Sequence, residues 1–139
     1  MLESFRFHHI GIAVKSIEKT AGLYVDAGYA KTDTVYDPVQ NVDICILTKD
    51  GMPTLELVEP KDETSPVFNT LKKVGVSPYH FCYVVDCLED AMAELRKQKY
   101  VLLSKPTNAV AFCKSRICFL FHKDMGLIEL VEETAKKVE

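Results

Sequence analysis

Period-two alternation of apolar and polar positions opens the chain at His-His-Ile-Gly-Ile-Ala-Val (8–14) and recurs at Tyr-His-Phe-Cys-Tyr-Val-Val (79–85). Both runs are rich in β-branched and aromatic residues and predict strands. After each the period lengthens to that of a helix. Ile17, Ala21, Tyr24 and Val25 follow the first strand, and Leu88, Ala91, Met92 and Leu95 the second. Ser16 is the expected N-cap of the first helix, with Lys19 in place of the acid of a full capping box, and Asp86 is the expected acidic cap of the second. Three further strands are predicted in each half, near 31–36, 42–48 and 54–59, and near 101–104, 116–122 and 127–132. The turn Lys49-Asp-Gly-Met-Pro carries a strong Asp-Gly hairpin signal, and His122-Lys-Asp-Met-Gly126 is its counterpart. Residues 61–76 join the halves, their latter part predicting a short helix.

The two halves are copies. His80 follows His9 by 71 residues and Glu129 follows Glu56 by 73, so the second half holds two extra residues. Leu-Glu-Leu-Val-Glu (55–59) returns as Ile-Glu-Leu-Val-Glu (128–132). Repetition on this scale means a duplicated supersecondary unit. The expectation is an α+β fold of two tandem βαβββ modules: a single domain over 1–139, with module one at about 5–60, a linker at 61–77 and module two at about 78–134.

Alternation places the chemistry-bearing side chains. His9 shares a face with Gly11 and Ala13, while Ile10, Ile12 and Val14 point the other way, toward the helix. Glu56 lies opposite Leu55 and Leu57, His80 opposite Phe81 and Tyr83, and Glu129 opposite Ile128 and Leu130. A lone strand histidine is more often a hydrogen-bonded core residue than a ligand, and a lone glutamate can simply face solvent. Two matched pairs are different, because an uncompensated carboxylate inside a sheet costs roughly several kcal/mol. Two imidazoles and two carboxylates suit Zn, Ni, Co, Fe or Mn better than Ca or Mg. His8 falls on the opposite face and is assigned a structural role or one supporting the ligands from behind. Glu59 and Glu132 are expected as solvated strand ends, and His122 as a structural turn residue.

Composition narrows the classes. The net charge is −3 and the three arginines (Arg6, Arg96, Arg116) are scattered, which argues against a nucleic-acid partner. No apolar run approaches the roughly 20 residues of a membrane span, and the N-terminus has no signal-peptide pattern, so a cytoplasmic protein is expected. Five cysteines (45, 82, 87, 113, 118) without C-x-x-C spacing argue against a disulfide framework or thiolate zinc site, and Cys45, Cys82 and Cys118 read as small hydrophobes.

His-Ile-Gly-Ile-Ala-Val (9–14), Leu-Glu-Leu-Val-Glu-Pro (55–60), Asp-Glu-Thr-Ser-Pro-Val (62–67), Tyr-His-Phe-Cys-Tyr-Val-Val-Asp (79–86) and Gly-Leu-Ile-Glu-Leu (126–130) together resemble the vicinal oxygen chelate superfamily: glyoxalase I, methylmalonyl-CoA epimerase, extradiol dioxygenases and bleomycin-resistance proteins. The resemblance covers essentially the whole chain. It implies a cup-shaped mixed sheet around a metal site, helices outside, with His9, Glu56, His80 and Glu129 as ligands of Ni, Co, Zn or Mn. It also implies a homodimer.

Within that resemblance the leading expectation is a glyoxalase I-like lyase or isomerase that enolises a small hemithioacetal or thioester, with Glu129 or Glu56 as a metal-bound base. The alternatives are a methylmalonyl-CoA epimerase-like enzyme and a non-catalytic binding or resistance protein. Epimerases typically carry Gly-Ala-x-Gly before the penultimate strand, where this chain has Asn108-Ala-Val-Ala-Phe-Cys-Lys-Ser-Arg116. The separate acidic base of some epimerases maps near Ile44, with Asp43 beside it. Lys114 and Arg116 are candidates for an anionic substrate end, although a solvated loop is the plainer reading.

Overall fold

The structure is a computed structural model and describes residues 3–112 and 115–133. The chain divides into two compact units, residues 9–79 and residues 1–8 together with 80–139. They follow the two sequence modules, except that the first eight residues count with the second and the linker with the first.

The first unit takes in β1 (Arg6–Ala13) from His9 onward, α1 (Ile17–Asp26), β2 (Ala30–Lys31), β3 (Val35–Asp37), β4 (Val42–Thr48), β5 (Leu55–Pro60) and α2 (Pro66–Val74). β1 and β5 are parallel, with Ile10 opposite Leu55 and Gly11 opposite Glu56. β4 runs antiparallel to β5, and its two ends carry β2 and β3. The strand expected near 31–36 is therefore two short pieces. Ile12, Val14, Cys45, Leu47, Leu55 and Leu57 bury against Ile17 and Ala21 of α1. That is the aliphatic face set by alternation, and each fully buried Leu contributes about 1.5–3 kcal/mol.

The second unit repeats the plan with β6 (Ser77–Val85), α3 (Leu88–Lys97), β7 (Val101–Leu102), β8 (Thr107–Asn108), β9 (Arg116–His122) and β10 (Gly126–Glu132). β10 lies parallel to β6 and antiparallel to β9. Val85, Cys118, Leu120, Ile128 and Leu130 pack on Leu88, Ala91 and Leu95 of α3. The two hairpin turns have the left-handed glycines their motifs require, Gly51 at φ 75° and Gly126 at φ 77°.

The helix starts hold one correction. The Ser16 side chain accepts from the Lys19 N–H at 3.2 Å, as expected. Asp86 does not cap α3: the N-cap is Cys87, which makes no side-chain cap hydrogen bond. The first N–H of that helix, on Leu88, instead donates to Glu132 at 2.9 Å, while Asp86 stays exposed, 3.6 Å from Arg6. Ser65 caps α2 just before Pro66, a pairing of N-cap hydroxyl with proline at the first helical position. No helix among the described residues is long and apolar enough to cross a membrane.

Candidate metal ligands: two buried histidine–glutamate pairs

In the first unit the parallel register puts Glu56 opposite Gly11, two residues beyond His9 and therefore on the histidine's face. His9 Nε2 lies 3.6 Å from Glu56 Oε2. His9 is 0% exposed and Glu56 4%. Leu55 and Leu57, on either side of the glutamate, anchor its strand in the core on the other face.

The second unit builds the same arrangement from different neighbours. Glu129 stands opposite Cys82, again two residues beyond the histidine. His80 Nε2 lies 3.2 Å from Glu129 Oε1, and the two residues are 3% and 2% exposed. The His80 ring meets Phe119 edge-on at 5.4 Å, which fixes the imidazole plane. Duplication has thus preserved the register, the burial and the pairing of the two side chains.

Each pair is a buried imidazole beside a buried carboxylate, a donor set of borderline nitrogen and hard oxygen that fits a first-row divalent ion. A carboxylate so nearly buried needs compensation, which a divalent ion held together with the neighbouring imidazole would supply.

The remaining sequence candidates fall as follows. His8 is half-buried with its ring edge-on to Phe112 at 4.9 Å. Glu59 is not a solvated strand end: its carboxylate accepts the Ile17 N–H at 2.7 Å, as Glu132 accepts that of Leu88. The reason is that each parallel strand ends beside the start of its own module's helix, where unpaired N–H groups attract an anion. Arg116 lies in β9 and not in a loop. Its guanidinium binds both Glu89 oxygens, at 2.7 and 2.9 Å, and Glu132 at 2.7 Å, so it is committed to the fold and not to an anionic substrate. These bonds hold the Glu89 carboxyl down at about 2 and lower that of Glu132. Lys114 and Cys113 lie outside the described residues.

The position considered for a separate acid is filled by Ile44, which is buried. Ile44 pairs with Val58 and Ile46 with Glu56, so those isoleucines share the glutamate's face; Asp43 takes the opposite face and bonds Lys61 at 2.8 Å. Asp37 is a buried carboxylate that the sequence reading missed. It accepts from the backbone of Val39 and Gln40 and from the Gln40 side chain, holding its own turn. The Asp-Pro dipeptide at 37–38 was the available signal. Cys45, Cys82 and Cys118 are buried as expected, and desolvation, followed by the charge of Glu129, pushes the Cys118 thiol up to about 12.

A profile of the Glyoxalase/Bleomycin resistance protein/Dioxygenase superfamily matches residues 8–119. The chain is 32% identical to mitochondrial methylmalonyl-CoA epimerase of Homo sapiens over 129 residues, spanning 90% of this chain and 72% of that protein. The structure superposes on methylmalonyl-CoA epimerase from Mycobacterium tuberculosis with a TM-score of 0.84 and 28% identity, covering 98% of this chain and 95% of that one. A Streptomyces coelicolor methylmalonyl-CoA epimerase variant in complex with 2-nitronate-propionyl-CoA superposes with a TM-score of 0.80 and 30% identity, covering 94% and 98% of the two chains.

Proposed function

The chain belongs to the glyoxalase/bleomycin resistance protein/dioxygenase superfamily, and from that premise we propose that it is a metal-dependent acyl-CoA epimerase acting on a branched acyl thioester such as methylmalonyl-CoA. Similarity to methylmalonyl-CoA epimerases over 90% of the chain supports this reading over the glyoxalase I-like one. The observation that carries the chemistry is the twofold recurrence of a buried histidine–glutamate pair in one register.

In this reading His9, Glu56, His80 and Glu129 hold one divalent ion, drawn from Ni, Co, Zn and Mn. Such an ion, when bound, supplies Lewis-acid polarisation of the thioester carbonyl. The chain's own part is proton transfer. The α-hydrogen of a thioester is only weakly acidic, and its removal needs a positioned base and stabilisation of the developing oxyanion. Epimerisation also requires that a proton leave one side of the carbon and return to the other. With Ile44 in place of a separate acid and Asp43 tied to Lys61, the carboxylates of Glu56 and Glu129 are assigned that work. Their apolar surroundings keep bulk water from quenching the carbanion-like species. The reading includes a homodimer, to be tested by sedimentation equilibrium.

The absence of glycine from 108–116 favours keeping the hemithioacetal reaction as a second reading. Purified protein is reconstituted with each of the four metals and assayed with a single epimer of methylmalonyl-CoA and with the hemithioacetal of methylglyoxal. Metal-dependent turnover of the first alone is expected. Turnover of the second alone replaces the epimerase reading. Failure to bind any divalent ion removes both.

A further inference from the structure

A groove of about 530 Å³ opens in the first unit where β1 and β5 end beside α2. Three lysines, Lys15, Lys61 and Lys72, line it together with Phe68 and Leu71. That concentration of positive charge is out of keeping with a chain whose net charge is −3. One acid, Asp62, also lines the groove. Its carboxylate is engaged by the hydroxyl and N–H of Thr64 and by the amide of Asn41 and serves its own turn. Lys61 bonds Asp43 at 2.8 Å and sits over the Tyr36 ring at 5.5 Å. Lys15 and Lys72 bring the remaining positive charge.

Cations beside a half-exposed aromatic ring form a surface for a phosphorylated nucleotide, because phosphate oxygens accept from ammonium groups and the purine stacks on the ring. The size suits such a group, within the range of roughly 300–1,000 Å³ typical of small-molecule sites. Its place suits an acyl-CoA. Pro60, on the groove wall, lies four residues beyond Glu56 along β5, about 13 Å at the rise of a strand. Pantetheine is as long as about four or five peptide units and spans on the order of 15 Å when extended.

We propose that the Lys15/Lys61/Lys72 groove binds the phosphorylated nucleotide end of the CoA substrate, while the thioester end reaches the face of β5 that carries Glu56. The proposal rests on the acyl-CoA reading above. It makes the groove a recognition site, remote from the chemistry, that sets KM and leaves kcat alone.

The test has two arms. Calorimetry with ADP as the probe reads the groove without any reaction. Wild-type protein is expected to bind ADP, more weakly as salt is raised, and K15E/K72E to lose about tenfold or more in affinity, whereas K97E on α3 is unchanged. If the charge reversal fails to fold, K15Q/K72Q serves, with a loss of about threefold. Kinetics form the second arm: K15E/K72E is expected to raise KM for the acyl-CoA by a similar factor with kcat retained, and to leave KM for the matching acyl-pantetheine unchanged. Equal ADP affinity in wild type and variant, or an equal KM rise for both thioesters, overturns the groove assignment while epimerase activity stands. Lysine-dependent ADP binding without turnover of any acyl-CoA removes the epimerase reading and leaves a nucleotide-phosphate site.

Discussion

Glu59 accepts the backbone N–H of Ile17 at 2.7 Å, clasping the first turn of α1 from 42 residues away. Its copy Glu132 does the same for Leu88 and α3. The glutamate that ends each parallel strand thus ties that strand to its module's helix, and the negative charge meets the positive end of the helix dipole. Replacing Glu59 with Ala leaves an orphan N–H and removes the charge. The expected loss is about 1–2 kcal/mol, read as a lower urea midpoint with unchanged slope. Glu59→Gln keeps an acceptor and should lose less.

Glu132 has a second duty, because Arg116 binds it together with Glu89. The Arg116 hydrogen bonds hold Glu89 down at about 2 and lower Glu132, both from an ordinary value of 4.5. A carboxyl lowered in the folded state contributes stability that is fully present above its unfolded pKa and lost as pH falls through the folded one. Stability should therefore decline as pH drops from about 4.5 toward 2. Arg116→Met should flatten that part of the curve in acid denaturation followed by circular dichroism. An unchanged slope would show that the exposed Glu89 pairing is screened out.

How much of this was legible follows from where each signal resides. The long strands show their alternation directly, so β4 and β9 fall where the sequence places them and β5 and β10 within a residue. Two-residue bridges such as β2 and β8 carry no period and are defined only by their partner strand. Ser16 was readable because its target, Lys19, is three residues away. The roles of Glu59, Glu132 and Arg116 were not, since their partners lie 42, 44 and 27 residues distant. Asp86 misled because an acidic residue stands one position before the real cap, and nothing local reveals that a distant carboxylate takes the N–H. That His9 shares a face with Glu56, and His80 with Glu129, was legible through duplication and alternation together, neither of which depends on long-range contacts.

His8 and His9 are adjacent in β1 and have different side-chain partners. His8 packs on Phe112, whereas His9 is buried beside Glu56. His8→Ala should leave metal content unchanged and cost about 1 kcal/mol or less through the lost ring contact. His9→Ala should abolish stoichiometric metal binding and the thermal stabilisation produced by added Ni or Co. Elemental analysis of both variants decides it. Equal metal content in the two would remove His9 from the ligand set.

Glu56 and Glu129 occupy equivalent places in the two copies, and the proposed reaction gives them complementary tasks, one removing the α-proton of each epimer. Isotope exchange tests that division. In deuterated water the wild-type enzyme should introduce solvent deuterium at the α-carbon, starting from either epimer, while interconverting them. Glu129→Gln keeps the side-chain volume and an oxygen donor but lacks the base, and epimerisation should fall by at least about a hundredfold. The remaining carboxylate should still exchange the α-hydrogen of one epimer and return the proton to the side from which it came. Glu56→Gln should show the opposite preference. Loss of exchange with both epimers in one variant, and of neither in the other, would identify a single base serving both directions. Equal exchange of both epimers in each variant would assign the proton transfers to a group other than these two glutamates.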